Sequence, residues 1–194
     1  QPLSGIMTNA STCLRMLAAD PPNLDGPRET ARRAIRDSDR AAQVVAWLRG
    51  LFSKKDGARE PVDVNDAIRE VVALSLSELE RGRVARRRDL PADLPPILGD
   101  RVQLQQVLLN LIMNAADAMS HVNDRPRVLT VRSTRDAKSA VRVSVQDTGA
   151  GFDHPDVADR MFDAFYSTKP GGMGIGLSIS RSIAEAHGGR VWAT

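Results

Sequence analysis

Apolar residues recur every seven positions through the first part of the chain. Residues 3–19 carry three such series, Leu3–Ala10–Leu17, Ile6–Cys13 and Met7–Leu14. A heptad repeat is typical of a helix that packs lengthwise against another helix. Two prolines at 21–22 end this helix, and a second one begins at Gly26–Pro27 and carries its own series, Ala31–Ser38–Val45–Phe52, beside Ala34, Ala41 and Leu48. Two helices joined by a short loop predict an antiparallel hairpin.

A hairpin of two helices leaves apolar surface on the side turned away from its own contact. A second copy of the chain would cover that surface in a four-helix bundle, so we predict a homodimer. The polar segment 53–60 ends the second helix, and we place the domain boundary there. The predicted domains are a helical hairpin, residues 1–56, and a second domain, residues 61–194.

The second domain mixes helix and strand patterns. Asn65 is predicted to cap a helix that carries Ile68 to Leu79, and Asp100 with Gln103 to form a capping box before another helix. The apolar stripe of that second helix comprises Leu104, Val107, Leu108, Leu111, Ile112, Ala115, Ala118 and Met119. Segments 84–90, 128–134 and 140–146 are predicted strands, the last two forming a hairpin.

The last part of the chain completes this pattern. Gly174 is predicted to open a final helix, which ends at His187–Gly189 because a glycine commonly follows the last helical turn. Residues 191–194 are predicted to lie in a strand. Strands and helices without βαβ alternation indicate an α+β domain, with one sheet and helices on one face.

Charge and composition exclude two classes of function. The 27 basic and 24 acidic residues give a net charge of +3, which is too small to indicate a nucleic-acid partner. The basic cluster Arg81–Arg88 contains no aromatic residue and favours a solvated strand edge over an anion-binding patch. No apolar run approaches the roughly 20 residues of a membrane helix, so we expect no membrane contact by this segment.

The lone cysteine and the chain ends give further expectations. Cys13 cannot form an internal disulfide, and we predict that it fills the hairpin core in a reducing, cytoplasmic compartment. The chain begins without a methionine or a signal-peptide pattern and ends inside the predicted last strand. We therefore expect a piece of a longer protein.

Polar side chains form one stripe along the helix that follows Asp100. Steps of three and four residues return to the same side of a helix, which aligns Gln103, Gln106, Asn110, Asn114 and Asp117. A solvated face would more often carry Lys and Glu, which favour helices more than Asn does. A carboxamide oxygen can join water and phosphate around Mg²⁺, and its amide can donate to phosphate. The stripe therefore predicts a ligand site.

A glycine-containing turn follows the strand that ends at residue 146. The carboxylate of Asp147 can accept a hydrogen bond there, for example from an exocyclic amine, and Gly149 and Gly151 let the backbone approach a flat ring. An ordinary Asp-Thr-Gly turn is the alternative interpretation.

A second glycine-rich segment precedes the final helix. Gly172, Gly174 and Gly176 alternate at the start of that helix, where backbone N–H groups and the helix dipole attract phosphate. Lys169, just upstream, could add a positive charge. The spacing differs from that of the dinucleotide-binding and Lys-Ser/Thr phosphate loops.

Four motifs occur in the order found in sensor histidine kinases. They are Asn-Leu-Ile-Met-Asn-Ala at 110–115, Asp-Thr-Gly-Ala-Gly at 147–151, Phe-Asp-Ala-Phe-Tyr-Ser-Thr-Lys at 162–169 and Gly-Met-Gly-Ile-Gly-Leu at 172–177. These motifs resemble the N, G1, F and G2 boxes of that family. Residues 1–9 resemble the end of its H box, so the resemblance covers the whole chain and puts the phosphoacceptor histidine just upstream of Gln1. We interpret His121, His154 and His187 as solvated or structural.

The resemblance implies an α/β sandwich of the Bergerat type that binds ATP. It also implies autophosphorylation of the upstream histidine and transfer of the phosphoryl group to an aspartate of a response regulator. Asn114 would hold Mg²⁺, Asn110 would assist through the water shell of the metal, and Asp147 would read the adenine amine. The other residues that the resemblance assigns to ATP are Asp117, Gly149, Gly151, Phe162, Thr168, Lys169, Gly172, Gly174, Gly176 and Leu177.

Two alternatives compete with a histidine kinase. ATP-hydrolysing relatives of the gyrase type carry a Glu at the position of Asn110, where it activates water, and an Asn cannot take that proton. A dimer scaffold that binds nucleotide without transferring phosphate is the second alternative, because the start of the H box is not in the chain. A serine-directed anti-sigma kinase is disfavoured by the long hairpin.

Overall fold

The computed structural model describes residues 2–19, 25–52, 59–136, 140–152, 155–167 and 174–194. The chain forms two compact units, Gln1–Phe52 and Ser53–Thr194. The first is helical, and the second combines helices with strands. None of the helices in the described ranges has the length and apolarity needed to cross a bilayer.

The first unit is a helical hairpin of α1, Pro2–Leu17, and α2, Asp25–Phe52. Asn9 Nδ2 donates to Asp37 Oδ2 (3.1 Å), and Cys13 Sγ donates to the carbonyl oxygen of Pro27 (3.5 Å). Contact partners thus descend along α2 as they ascend along α1, which confirms the predicted antiparallel hairpin. Asp37 also lies against Gly5, where an added Cβ would be 2.6 Å from Oδ2.

Two heptad series of α1 face different surroundings. Ile6 and Cys13 are half-buried, whereas Met7 and Leu14 are 68% and 69% exposed. The hairpin contact therefore uses one series and leaves the other on the surface. On α2, Ala34 and Ala41 are half-buried while Ala31 and Ser38 are exposed. The side chains of Leu3, Val45, Leu48 and Phe52 lie outside the described residues.

The second unit contains five helices and five strands among the described residues. In chain order they are β1 (Glu60–Val62), α3 (Val64–Leu74), α4 (Leu76–Arg81), β2 (Ala85–Asp89), β3 (Ile97–Gly99), α5 (Arg101–Ala118), β4 (Val128–Arg135), β5 (Val141–Gln146), α6 (Pro155–Arg160) and α7 (Gly176–Ala186).

The strands form two small sheets. β1 pairs antiparallel with β3, and the three-stranded sheet has the order β2–β4–β5. β4 and β5 form the predicted antiparallel hairpin, but β2 runs parallel to β4, so one crossover of the βαβ kind is present. The expectation of a sheet without such a crossover was wrong on this point, while the mixed sheet still belongs to an α+β fold. All five residues of the basic β2 are exposed, at the edge of the described sheet.

Helices cover one face of the three-stranded sheet. Along β4, Leu129, Val131 and Ser133 are buried, whereas Arg132 between them is exposed. The core brings this face against α3, α4 and α5 through Ile68, Val71, Leu79, Leu108, Ile112, Ala115 and Met119. Of the predicted apolar stripe of α5, the core thus contains Leu108, Ile112, Ala115 and Met119, while Leu104, Val107 and Leu111 are half-buried and Ala118 is exposed. The polar stripe lies on the side of α5 turned away from this core.

Two predicted helix caps were wrong in detail. Asp63, not Asn65, caps α3 by accepting from the N–H of Asp66. Asn65 is buried instead, where its amide donates to Pro91 O (2.7 Å) and its oxygen accepts from Ser133 Oγ (2.6 Å). A buried carboxamide needs such partners on both of its ends, which explains its place inside the fold.

The second wrong cap concerns the start of α5. Asp100 accepts from the N–H groups of Val102 and Gln103, as a cap should, but Gln103 does not reach back. The N–H of Asp100 donates to His187 Nε2 (3.0 Å), and Nδ1 of that ring lies 2.8 Å from Ile183 O. His187 therefore has the structural role expected of it and ties the end of α7 to the start of α5.

The last part of the chain differs from the prediction in two further ways. α7 begins at Gly176 rather than at Gly174, because Gly174 has a φ of 64° that no right-handed helix adopts. Residues 190–194 form no strand in this structure. They lie beside β5, since the ring of Trp192 packs under the guanidinium of Arg142 (5.3 Å).

Candidate functional site

The polar stripe of α5 is partly covered by protein. Gln103, Gln106, Asn110 and Asn114 are half-buried, and Asp117 is exposed. The first turn of α5 is held to α3, because Arg101 Nη2 lies 2.7 Å from Glu70 Oε1. This hydrogen bond to Glu70 raises the pKa of Arg101. Half-buried carboxamides on a helix held at its start are suited to orient a ligand rather than only to meet solvent.

Asn110 contacts the beginning of α7. Its Nδ2 donates to the carbonyl oxygen of Gly176 (3.1 Å) and approaches Ser180 Oγ (3.4 Å). Ser180 is fully buried and donates to Gly176 O (3.1 Å), so the three residues form one small network. Asn110 and Gly176, predicted in separate motifs 66 residues apart, are thus brought into contact. Ser180 was missed, although its position four residues after Gly176 could have indicated it.

The first turn of α7 provides backbone donors. Ile175 occupies the N-cap position and makes no side-chain capping bond. The first N–H groups of a helix have no partner within the helix, and together with the dipole they favour an anion. The network of Asn110 lies at this same end of α7, so a carboxamide and a helix N-terminus converge there.

The predicted Asp147–Gly151 turn packs against the C-terminal end of α5. Asp147 Oδ1 accepts from the N–H of Gly149 (2.8 Å). A Cβ on Gly149 would lie 2.9 Å from both the Cβ and the carbonyl oxygen of Ala118, so only glycine lets the turn approach α5 this closely. Asn110 and Ala118 are eight residues apart, about 12 Å along a helix. The two glycine segments therefore meet α5 at its middle and at its C-terminal end.

The F-box segment is fixed against α7. Phe162 is buried, with the guanidinium of Arg181 5.1 Å from its ring centroid, and Arg181 Nη1 lies 3.6 Å from Asp163 Oδ1. The N–H of Phe165 donates to Gly174 O (3.0 Å), and a Cβ on Gly174 would overlap the carbonyl of Tyr166. Sequence reasoning missed Arg181, because no spacing rule connects it to Phe162.

The remaining predicted site residues lie on α5, on α7 and in the Asp147 turn, or outside the described residues. Asn114 and Asp117 follow Asn110 on the same face of α5, and Leu177 is half-buried in the first turn of α7. Gly151 has a φ of 76° and an exposed position, where an added Cβ would meet nothing within 4 Å. Thr168, Lys169 and Gly172, with the rest of the segment 168–173, lie outside the described residues, as does His154.

The donor set limits what kind of metal site these residues can form. Within the ranges that the structure describes, no group of three or more His, Cys, Asp and Glu side chains could hold a metal ion. Asn110 and Asn114 offer neutral oxygens, which suit Mg²⁺ when phosphate and water complete its shell. The residues present therefore fit Mg²⁺ that arrives with a phosphate ligand.

This fold and site define a class of nucleotide-binding domains. The family model described as histidine kinase-, DNA gyrase B-, and HSP90-like ATPase matches residues 99–194, which include α5, the β4–β5 hairpin, the Asp147 turn and α7. The chain is also 31% identical to the catalytic domain of the histidine kinase ThkA, covering 69% of this chain and 85% of that one with a TM-score of 0.60. The chain belongs to the sensor histidine kinase family.

Two further comparisons extend over almost the whole chain. The sensor histidine kinase TmoS of Ectopseudomonas mendocina is 37% identical over 194 residues, which are 100% of this chain and 20% of TmoS. The chain therefore spans about a fifth of that relative. ThkA solved in complex with the response regulator protein TrrA has a TM-score of 0.67 at 21% identity, covering 98% of this chain and 54% of that one, a likeness of fold alone.

Proposed function

We propose that this chain is the kinase core of a two-component sensor. It would transfer the γ-phosphoryl group of ATP to a histidine just upstream of Gln1, and from there to an aspartate of a response regulator. Residues 61–194 would bind the nucleotide, and residues 1–56 would dimerise and present the histidine. The observation that carries the proposal is the contact between Asn110 and the start of α7, which joins the N-box and G2-box residues in one site.

The nucleotide would lie along the polar face of α5. Its adenine would meet the turn at Ala118, where Asp147 accepts from the exocyclic amine through the carboxylate oxygen that Gly149 does not use. Its phosphates would meet the first turn of α7, which offers backbone donors and a favourable dipole. The length of α5 between these points, about 12 Å, suits an extended nucleotide.

Two carboxamides would hold the metal that comes with the phosphates. Asn114 would ligate Mg²⁺ directly, and Asn110, whose amide already bonds Gly176 O, would present its oxygen to the water shell. Mg²⁺ would neutralise phosphate charge. The chain's own contribution is orientation, because the bond to α7 fixes the rotamer of Asn110 before any ligand arrives.

Phosphoryl transfer to a histidine suits this site better than hydrolysis of ATP. Asn110 has no acid–base chemistry near neutral pH, so it cannot activate a water molecule as a Glu could. The three histidines of the chain are at 121, 154 and 187, and the hairpin contains none of them. His187 is held by Asp100 and Ile183 at the far end of α7 from Gly176. An upstream histidine is therefore the acceptor that we propose.

The proposed partners follow from this activity. A second copy of the chain would cover the exposed Met7–Leu14 series of α1. A response regulator would receive the phosphoryl group, as the complex of ThkA with TrrA illustrates for that kinase. We propose no nucleic-acid partner and a cytoplasmic site of action.

Labelling with γ-labelled ATP tests this function. The 194-residue chain should bind ATP without acquiring a stable label, because it lacks the acceptor. A longer chain with the natural upstream segment should acquire an acid-labile, base-stable label that moves to a response-regulator aspartate. A stable label on the 194-residue chain would show that another residue is the acceptor. Tight ATP binding without labelling of the longer chain would instead favour a nucleotide-binding scaffold.

A further inference from the structure

A residue outside all four motifs holds the turn that contains Asp147. Arg125 lies in the loop between α5 and β4, and its guanidinium donates twice to the turn. Nε donates to Thr148 O (3.1 Å), and Nη2 donates to Gly149 O (2.9 Å). A guanidinium fork that bonds two successive carbonyls fixes their relative orientation, which a single donor could not do.

The side chain of Thr148 makes two more bonds, one to this loop and one to the first residue of β4. The N–H of Val128 donates to Thr148 Oγ1 (2.9 Å), and that hydroxyl donates to Pro126 O (2.8 Å). Arg125 therefore holds the turn through two of its backbone carbonyls, and the backbone at 126 and 128 holds it through the hydroxyl of Thr148.

The pairing of strands explains why these segments meet. β4 and β5 are antiparallel, and the pair Thr130–Gln146 ends their register. Residues just before β4 must therefore lie beside residues just after β5. Gly149 completes the arrangement, because it packs on Ala118 and donates its N–H to Asp147 Oδ1.

We propose that Arg125 is a positioning residue that sets the base specificity of the nucleotide site. This inference rests on the proposed function, in which Asp147 recognises the amine of adenine. By fixing the carbonyls at 148 and 149, Arg125 fixes the bond from Gly149 N–H to Asp147 and hence the direction of the free carboxylate oxygen. A purine with an oxygen in place of the amine presents an acceptor at that point, and its nearest donor, N1–H, lies at a different position on the ring, so Arg125 should contribute to adenine binding only.

The test compares the affinities of ADP and inosine diphosphate, with Mg²⁺, by calorimetry. Arg125→Ala should weaken the affinity for ADP about five-fold and leave the affinity for inosine diphosphate unchanged. The ratio of the ADP affinity to the inosine diphosphate affinity should therefore fall. Arg125→Lys should give an intermediate ratio, because an ammonium group can bond one carbonyl but cannot fork across two. A merely structural role would lower both affinities together and leave the ratio constant.

Arg127→Ala is the matched control. It removes the same charge two residues away and also frees backbone carbonyls, those of Val122 and Gly82, but none in the Asp147 turn. In this variant the ratio of the ADP affinity to the inosine diphosphate affinity should equal that of the parent chain. A parent-like ratio in Arg125→Ala, with ADP still bound, would overturn this inference and leave the proposed function standing. Failure of the parent chain to bind ADP would overturn both.

Discussion

At the scale of single residues, some side chains have roles that depend on partners far away in the sequence. Asn65 is of a residue type that often caps helices, yet it is buried and forms hydrogen bonds with Pro91 and Ser133. His187 ends a helix in the sequence pattern and also accepts the N–H of Asp100, 87 residues away. The sequence could not predict these partners, because hydrogen bonds between distant segments follow no spacing rule. Capping of α5 by the side chain of Asp100 depends only on neighbouring residues, and this part of the predicted capping box is confirmed.

Gly149→Ala tests the close packing of the Asp147 turn. The new Cβ would need to come 2.9 Å from Ala118, so the turn must move away from α5. We expect a loss of about 1–3 kcal/mol in the free energy of unfolding and at least a several-fold weaker affinity for ADP. Chemical denaturation and calorimetry measure the two effects.

Gly82→Ala serves as the control for that variant. Gly82 lies at the end of α4, where an added Cβ would have ordinary contacts of 3.4 Å or more and the φ of the residue is −73°. Its ADP affinity should match that of the parent chain. If Gly149→Ala bound ADP as the parent does, the turn would not be part of the nucleotide site.

Whole elements were easier to predict than their junctions. The 3.6-residue periodicity of α5 and the alternation of β5 are strong local signals, and both elements are present over nearly the predicted residues. The parallel pairing of β2 with β4 and the start of α7 depend on tertiary contacts. The contact of α7 with the F-box segment through Arg181 is of the same kind, since sequence spacing cannot reveal it.

Arg181→Ala tests whether α7 holds the F-box segment in place. The change removes the stack on Phe162 and the ion pair with Asp163, and a partly exposed cation–π contact stabilises by about 0.5–1 kcal/mol. The amide of Phe165, bonded to Gly174 O, should then exchange its hydrogen about two- to five-fold faster.

Arg190→Ala is the control for this variant, because it removes a similar stack, on Trp192, away from the F-box segment. Exchange at Phe165 should stay at the parental rate in that variant. Equal exchange rates in the parent chain and Arg181→Ala would show that the segment is held by its other contacts, such as the bond to Gly174.

At the scale of the whole molecule, the heptad pattern predicted more apolar surface than a single chain can bury. Ile6 and Cys13 face α2, but Met7 and Leu14 remain exposed, as does Ile35 (61%) on α2. The sequence predicted these two series and a third, Leu3–Ala10–Leu17, without telling which one the hairpin itself would use. An exposed apolar series on a helical hairpin indicates a partner, and we propose a second copy of the chain.

Met7→Lys combined with Leu14→Lys tests the proposed dimer. Burying two ammonium groups in an apolar seam is unfavourable, so the variant should sediment as a monomer where the parent chain sediments as a dimer at micromolar concentrations. Ser11→Lys, on an exposed position between them, gives a control for added charge. A parent chain that is monomeric under these conditions would contradict the proposal.

The central claim is that Asn110 and Asn114, on the polar face of α5, bind nucleotide together with Mg²⁺. Calorimetric titration of the parent chain and of the double variant Asn110→Ala/Asn114→Ala with ATP, at several Mg²⁺ concentrations, tests it most directly. The control is Gln103→Ala/Gln106→Ala, which removes two carboxamides nearer the start of α5, outside the stretch from Asn110 to Ala118 along which we propose that the nucleotide lies. We expect Mg²⁺-dependent binding in the parent and the control, and a loss of about ten-fold or more in the asparagine variant. Undiminished Mg²⁺-dependent binding of ATP by the asparagine variant would contradict the claim.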